Sequence, residues 1–333
     1  MRGCRVSSKS FSLFLFFYIV VSVILILYLP FTQVEYHLLE KEGFLTPVFA
    51  KAIYSTTHSY IVMRIAFFSL ALASLYLLRE IASLYLKKEF VYLSLVIYLL
   101  TPGVFVSFII ANSASIALFL TLLFIYSYEK RAIFLELLSL VLLFFTHTPI
   151  FILYLAVSFF AFYQKRWYLF GVAFTLFALS FLLSPFSIGG VPKGHIVELF
   201  ISYAAIFSPF YFIAIVYTIY RLAKDKELSL LWYITSFFLI SSILLSLRQR
   251  VDVVEFAPFI VIIAPLVVLI FRNSIAIRLQ RFQKWHLRVC KIVVLFLLIE
   301  STLIALSYPI YQLSNGKIKI VNSKIYTIKA REF

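Results

Sequence analysis

Charge is what this chain has least of. Aspartate, glutamate, lysine and arginine together make up 13% of its 333 residues, about half the share of an ordinary soluble domain. So few polar groups cannot cover a water-facing surface of this size, which excludes a dispersed soluble protein. Cysteine is nearly absent too: Cys4 and Cys290 are too few and too far apart for a disulfide framework or a thiolate metal site. There is no phosphate-cradling glycine-rich loop ahead of a helix, no His-Glu-x-x-His and no Gly-x-Ser-x-Gly elbow. A nucleotide-driven pump has no support on that ground. The apolar/polar alternation of an outer-membrane barrel is also lacking, as are internal repeats, low-complexity tracts and linkers.

What the chain does have is apolar length. Hydrophobic residues reach 63%, and 38 phenylalanines dominate an aromatic share of 19%. Apolar runs of about 18 to 20 residues recur, enough to cross roughly 30 Å of hydrocarbon as helix. In lipid the backbone must satisfy its own hydrogen bonds, so these runs are read as helices. The expectation is an all-α, polytopic transmembrane helical bundle of about 10–11 spans, with amphipathic helices on its outer face. Residues 1–310 form a single transmembrane domain and 311–333 a short outer-face tail. Phe11 to Pro30 reads as an uncleaved first span. Further spans are expected near 60–78, 90–110, 113–128, 132–147, 148–164, 167–184, 204–221, 228–246, 257–271 and 289–310. Thr101-Pro102-Gly103 should break the third, and Thr146-His147-Thr148-Pro149 should make a tight turn. Pro185 to Ser202 reads as a re-entrant or surface-lying segment.

The net charge of +16 is not spread as a nucleic-acid patch. Lysine and arginine gather in short segments on alternate sides of the spans, and 19 of the 30 fall on one side. By the positive-inside rule that side, with the N-terminus, is cytoplasmic. The expected setting is a multi-pass protein of a bacterial or archaeal plasma membrane.

The short basic inner loops follow from insertion alone. The opposite side carries two longer segments, 31–59 and 185–204, and ionisable groups at span ends: Glu35, His58, Arg64, His147, Lys193, His195, Arg248, Arg250, Asp252 and Glu255. Such groups near the membrane usually face a cavity or a partner. One carboxylate facing several cations suits a reaction in which a phosphate leaves and a hydroxyl attacks. Blander readings stand beside this one. Glu35 can simply cap the helix after Pro30, Arg64 can snorkel from a span end, and His147 can be a hydrogen-bonded turn residue. Asp252 and Glu255 can merely neutralise Arg248 and Arg250.

Several short stretches, in order, resemble the GT-C superfamily of membrane glycosyltransferases, which includes the lipid A aminoarabinose transferases and protein O-mannosyltransferases. The acidic first outer loop after a proline-ended span is matched by Pro30-Phe31-Thr32-Gln33-Val34-Glu35-Tyr36-His37. The arginine heading the second span is matched in Tyr60-Ile61-Val62-Met63-Arg64. Leu100-Thr101-Pro102, Ala111-Asn112-Ser113, Tyr128-Glu129-Lys130-Arg131, Thr146-His147-Thr148 and Gln164-Lys165-Arg166-Trp167 follow in family order, and Arg250 to Pro258 matches a late Arg-to-Pro pattern. The resemblance covers roughly residues 11–270. The family's acidic pair is reduced to Glu35, its second outer acid is Asn112, and His147 stands for a lysine.

The resemblance implies transfer of a sugar from a polyprenyl-phosphate donor to a hydroxyl of a lipid, glycan or protein acceptor on the outer face, with inversion. Glu35 would be the catalytic base, and Arg64, His147, Arg248 and Arg250 would bind the donor phosphate. Lys193, His195 and Asn112 would contact substrate. No metal ligands are assigned, although a divalent cation is a candidate cofactor. Membrane lipid is an expected partner and nucleic acid is not. The rivals are a transporter or flippase of a lipid-linked glycan, which needs polar groups through the bundle beyond Glu136 and Glu300, and a scaffold subunit of a cell-envelope complex.

Overall fold

The computed structural model describes residues 6–40, 45–146, 149–183 and 194–313. Sixteen helices account for nearly all of them, with no strand among the described residues. In chain order they are α1 (Ser8–Tyr28), α2 (Gln33–Glu40), α3 (Leu45–Thr57), α4 (Tyr60–Tyr85), α5 (Lys88–Leu100), α6 (Pro102–Ile109), α7 (Ser113–Lys130) and α8 (Ile133–Phe144). There follow α9 (Ile150–Tyr163), α10 (Trp167–Leu183), α11 (Ile196–Phe207), α12 (Pro209–Asp225), α13 (Leu230–Ser246), α14 (Val253–Val261), α15 (Ala264–Ile277) and α16 (Gln280–Leu313).

Three of these, α1, α4 and the 282–310 stretch of α16, are long and apolar enough to cross a membrane outright. Pairing α5 with α6, α11 with α12 and α14 with α15 raises the number to six. The expected ten or eleven spans are thus not all of full length: α8, α9, α10 and α13 are apolar but 12–17 residues long. At 1.5 Å per residue they cover about 18–26 Å, short of a 30 Å core.

The molecule is nevertheless built for lipid. In α1 the buried residues Phe11, Tyr18, Ser22 and Leu25 follow one helical stripe. Phe16, Phe17, Ile24 and Leu27 on the other side are more than half exposed. A water-facing helix would put polar side chains there. Leu295, Leu298 and Leu303 of α16 are likewise exposed apolar side chains. α4 is more central, with half its apolar window buried against 17% for α16.

Breaks in the helices follow local chemistry. The expected break at Thr101-Pro102-Gly103 is a 71° bend, with Pro102 opening α6. Gly103 sits so close to α11 that a Cβ there would meet the Ile206 side chain at 2.6 Å. A second break was not expected from sequence. The helix expected over 204–221 is instead two, meeting at 105° where Ser208 adopts φ 70° and Pro209 starts α12. Residues 196–202, the second half of the segment expected to be re-entrant or surface-lying, belong to regular helix α11, which runs across α12. The final helix starts at Gln280 rather than near 289.

Contacts sort the ends of the bundle. At one end Phe11 stacks on Tyr92, Arg166 lies over the Tyr128 ring at 4.4 Å and Arg272 over Phe90 at 5.9 Å. This end carries the basic segments at 87–88, 130–131, 165–166 and 272–291. The opposite end gathers the turn after α1, the head of α4, the α6–α7 junction and the start of α14.

Candidate functional site

At that second end the chain leaves α1 through Pro30 and begins α2 at once. Thr32 and Glu35 form a capping box: the Glu35 N–H donates to Thr32 Oγ1 (3.4 Å), while the Thr32 N–H and hydroxyl donate to Glu35 Oε2 (3.0 and 2.8 Å). The Thr-x-x-Glu spacing that predicts such a box stands in Thr32-Gln33-Val34-Glu35. Glu35 Oε1 also receives the Ala111 N–H at 3.4 Å, tying α2 to the α6–α7 junction.

Arg64 enters from the second turn of α4. Its Nε donates to Glu35 Oε1 at 2.6 Å and Nη2 to Glu35 Oε2 at 2.7 Å. The remaining N–H groups go to the carbonyls of Ile26 (3.0 Å), Leu29 (2.7 Å) and Pro30 (2.7 Å). A guanidinium has five N–H donors, and all are taken by the protein. Three satisfy carbonyls that the end of α1 would otherwise leave unpaired. The guanidinium carbon also lies 5.0 Å from the centre of the Tyr60 ring. Both side chains are 0% exposed. The expected role of Arg64 at a donor phosphate thus finds no free N–H, and the expected base Glu35 already accepts from Arg64, Thr32 and Ala111.

Asn112 is committed in the same manner. Its Oδ1 caps α7 by accepting from the Ser115 N–H and hydroxyl, each at 3.0 Å, and its amide donates to Ser107 at 3.3 Å. It borders a small, mostly apolar cavity of about 60 Å³ between α6, α7, α11 and α14. That volume admits a water or two rather than a sugar.

A second constellation lies across α6, on α11 and the turn before α14. Arg250 donates to Glu198 through Nε and Nη2, both at 2.8 Å. His195 Nδ1 is 3.4 Å from the same carboxylate, and the His195 N–H holds the Ser246 carbonyl at 2.9 Å. This group is open: the side chains of Arg250 and Glu198 are 71% and 51% exposed. The bidentate bond from Arg250 keeps the Glu198 carboxyl below the usual carboxylate range. Arg248 is exposed on the same turn. Asp252, expected to neutralise the arginines, instead caps α14 by accepting the Val254 N–H at 3.1 Å.

Of the sequence-derived site residues, the structure joins Glu35 to Arg64, sets Asn112 next to Ala111 beside them, and groups His195 with Arg250. Among the described cations Arg64 is buried against Glu35, apart from Arg248 and Arg250 on the turn before α14, so the expected single phosphate site is not assembled from them. His147 and Lys193 lie outside the described residues. Glu198 was overlooked by sequence reasoning, although its position one turn after His195 was a usable signal. Among the described residues no three His, Cys, Asp or Glu side chains are grouped to hold a metal ion, so no ligands are assigned to a divalent cation. No protein-family model, curated protein or solved structure matches the chain.

Proposed function

We propose that this protein is a membrane glycosyltransferase of the GT-C kind, passing a sugar from a polyprenyl-phosphate donor to a hydroxyl on the outer face, with its N-terminus cytoplasmic. The observation that carries the reading is the open carboxylate–cation group of Glu198, Arg250 and His195 at the end of the bundle opposite the basic turns. A donor phosphate takes the two N–H bonds that Arg250 now gives to Glu198, and this frees the carboxylate. The acceptor oxygen then attacks the anomeric carbon while its proton passes to Glu198. The bond from that carbon to the phosphate oxygen breaks with its electron pair on oxygen, and Arg250 with Arg248 meets the charge of the departing polyprenyl phosphate. In this scheme Glu35 and Arg64 hold the first outer loop in place and take no proton.

A second reading, binding or transport of a lipid-linked glycan without chemistry, is favoured by the saturation of the Glu35–Arg64 pair. Turnover and donor binding separate the two in purified protein in lipid nanodiscs given a polyprenyl-phosphate sugar. The expected result is turnover by the wild type and a loss of about 10²–10⁴-fold in Glu198→Gln, as for removal of a general base, with donor binding retained. Donor binding without wild-type turnover supports the second reading, and absence of donor binding overturns both. Near-normal turnover in Glu198→Gln removes Glu198 as the base.

A further inference from the structure

A cavity larger than the one beside Asn112 lies away from the Glu35 end. It lies between α5, α12, α15 and α16, has a volume of about 350 Å³ and is walled mainly by aliphatic and aromatic side chains. That is within the range of small-molecule sites. Along α15 its wall runs from Val267 to Arg278, about 16 Å of helix rise, so it is elongated along the bundle. Its few polar groups are unevenly placed. Tyr211 lines one end, is 0% exposed, and its hydroxyl has no partner. At the other end stand Arg278, exposed at the cap of α15, and His286, whose Nδ1 is buried and unpartnered.

Two unpaired polar atoms in one wall are a cost that natural interiors seldom carry, about 1–3 kcal/mol each when nothing replaces water. The surrounding charge says what kind of group would meet them. Between 272 and 291 the sequence carries Arg272, Arg278, Arg281, Lys284, Arg288 and Lys291, and no acidic residue. Runs of four to eight basic residues at a membrane surface attract anionic lipid headgroups. An apolar slot with a basic mouth therefore matches an amphiphile with one anionic end.

We infer that this cavity is a binding site for an anionic phospholipid, one acyl chain lying along α15 toward Tyr211 and the phosphate meeting Arg278 and His286. The site is separate from the Glu198 group and does not depend on the proposed transfer reaction. A lipid seated there joins α16, the most peripheral of the long helices, to the rest of the bundle.

The test is lipid retention by the full chain. Protein purified from membranes is exchanged into nanodiscs of phosphatidylcholine with a small fraction of phosphatidylglycerol, returned to detergent, and weighed by native mass spectrometry. The expected result is one retained phosphatidylglycerol per chain, with little phosphatidylcholine. Arg278→Gln, at an exposed position that packing does not need, should weaken that retention about fivefold, the effect of one basic residue at a membrane surface. Ala214→Trp, which fills the cavity from α12, should abolish it. Equal retention of the two lipids, or retention unchanged in Arg278→Gln, overturns the proposal. If Ala214→Trp fails to fold, Arg278→Gln alone decides the matter.

Discussion

An arginine and a glutamate meet twice at the same end of this bundle. Arg64 and Glu35 are wholly buried, with every guanidinium N–H used and the carboxylate accepting from three residues. Arg250 and Glu198 make a bidentate pair only slightly longer but keep 71% and 51% of their side-chain surface. The first pair cannot be exchanged without unfolding the loop it holds, because neither side chain is open to solvent. The second can be exchanged at little cost, because solvent already competes for it. A carboxylate free to change partners stands at the second pair, which is why the proposed transfer is placed there, while the first is built for stability.

The strongest way to break this contrast is to remove one buried partner. Glu35→Gln leaves Arg64 buried without its counter-charge, and a broken buried pair typically costs about 3–5 kcal/mol. Arg64→Met should cost as much, since it strands Glu35 and uncaps the carbonyls of Ile26, Leu29 and Pro30. Thermal unfolding in detergent should show a large loss for each variant. In a double-mutant cycle, the Glu35→Gln/Arg64→Met pair should lose much less than the sum. Additive losses would mean that the two side chains do not act as one unit.

The sequence disclosed this pair unevenly. Thr-x-x-Glu behind Pro30 announces a capped helix, and an arginine at the head of an apolar span announces an anchored one. Neither signal says that the two are partners, because they lie 29 residues apart and only the packing of α4 against α1 joins them. A lone acid in an outer loop therefore read as a catalytic candidate when its local role was already spelled out. Helical class and the bend at Thr101 were legible because periodicity and proline act locally. The 105° turn at Ser208 was missed although Pro209 marks it as Pro102 marks the bend at Thr101; what the sequence does not carry is the size of the bend and the positive φ of Ser208, which are tertiary outcomes. The length of the short apolar helices was missed because hydropathy reports composition and not where caps fall.

Gly103 is where the neighbourhoods of the two pairs touch, since α6 leads to Ala111 and Ile206 belongs to the helix of Glu198. Gly103→Ala places a methyl 2.6 Å from the branched Ile206 side chain, and Ile206 has little rotamer freedom in a helix. The expected cost is about 1–3 kcal/mol, the usual range for overpacking. Ile206→Ala in the same chain should recover part of it. A Gly103→Ala protein with unchanged unfolding would mean that α6 and α11 separate freely.

A third carboxylate sharpens the comparison by lacking an arginine bond. Glu136 is fully buried in α8 and accepts from the Tyr168 hydroxyl at 3.1 and 3.3 Å. Tyr168 is 46% exposed, so water can replace its hydroxyl. Tyr168→Phe should therefore cost only about 1 kcal/mol, well below either change at Glu35 or Arg64. A loss as large as theirs would show that burial of the acid, and not its charged partner, sets the scale.

The smallest effect on stability is expected at Arg250. Arg250→Gln removes a short bidentate bond, yet both groups face solvent, and the unfolding temperature at neutral pH should stay within error of the wild type. The sign of any residual contribution is fixed by Glu198. Its carboxyl titrates lower in the folded protein than in the unfolded chain, so the contribution is complete above the ordinary carboxylate value and fades as pH falls through the lowered one. Any difference between wild type and Arg250→Gln should accordingly shrink on acidification, and also in high salt, where exposed charges are screened. Donor binding should respond in the opposite proportion. On the proposed function, in which Arg250 holds the donor phosphate, the change should weaken affinity for a polyprenyl-phosphate sugar about tenfold with no matching loss of fold. If Arg250→Gln instead unfolds the protein while leaving donor affinity intact, the two pairs have exchanged roles, and the exposed group is structural after all.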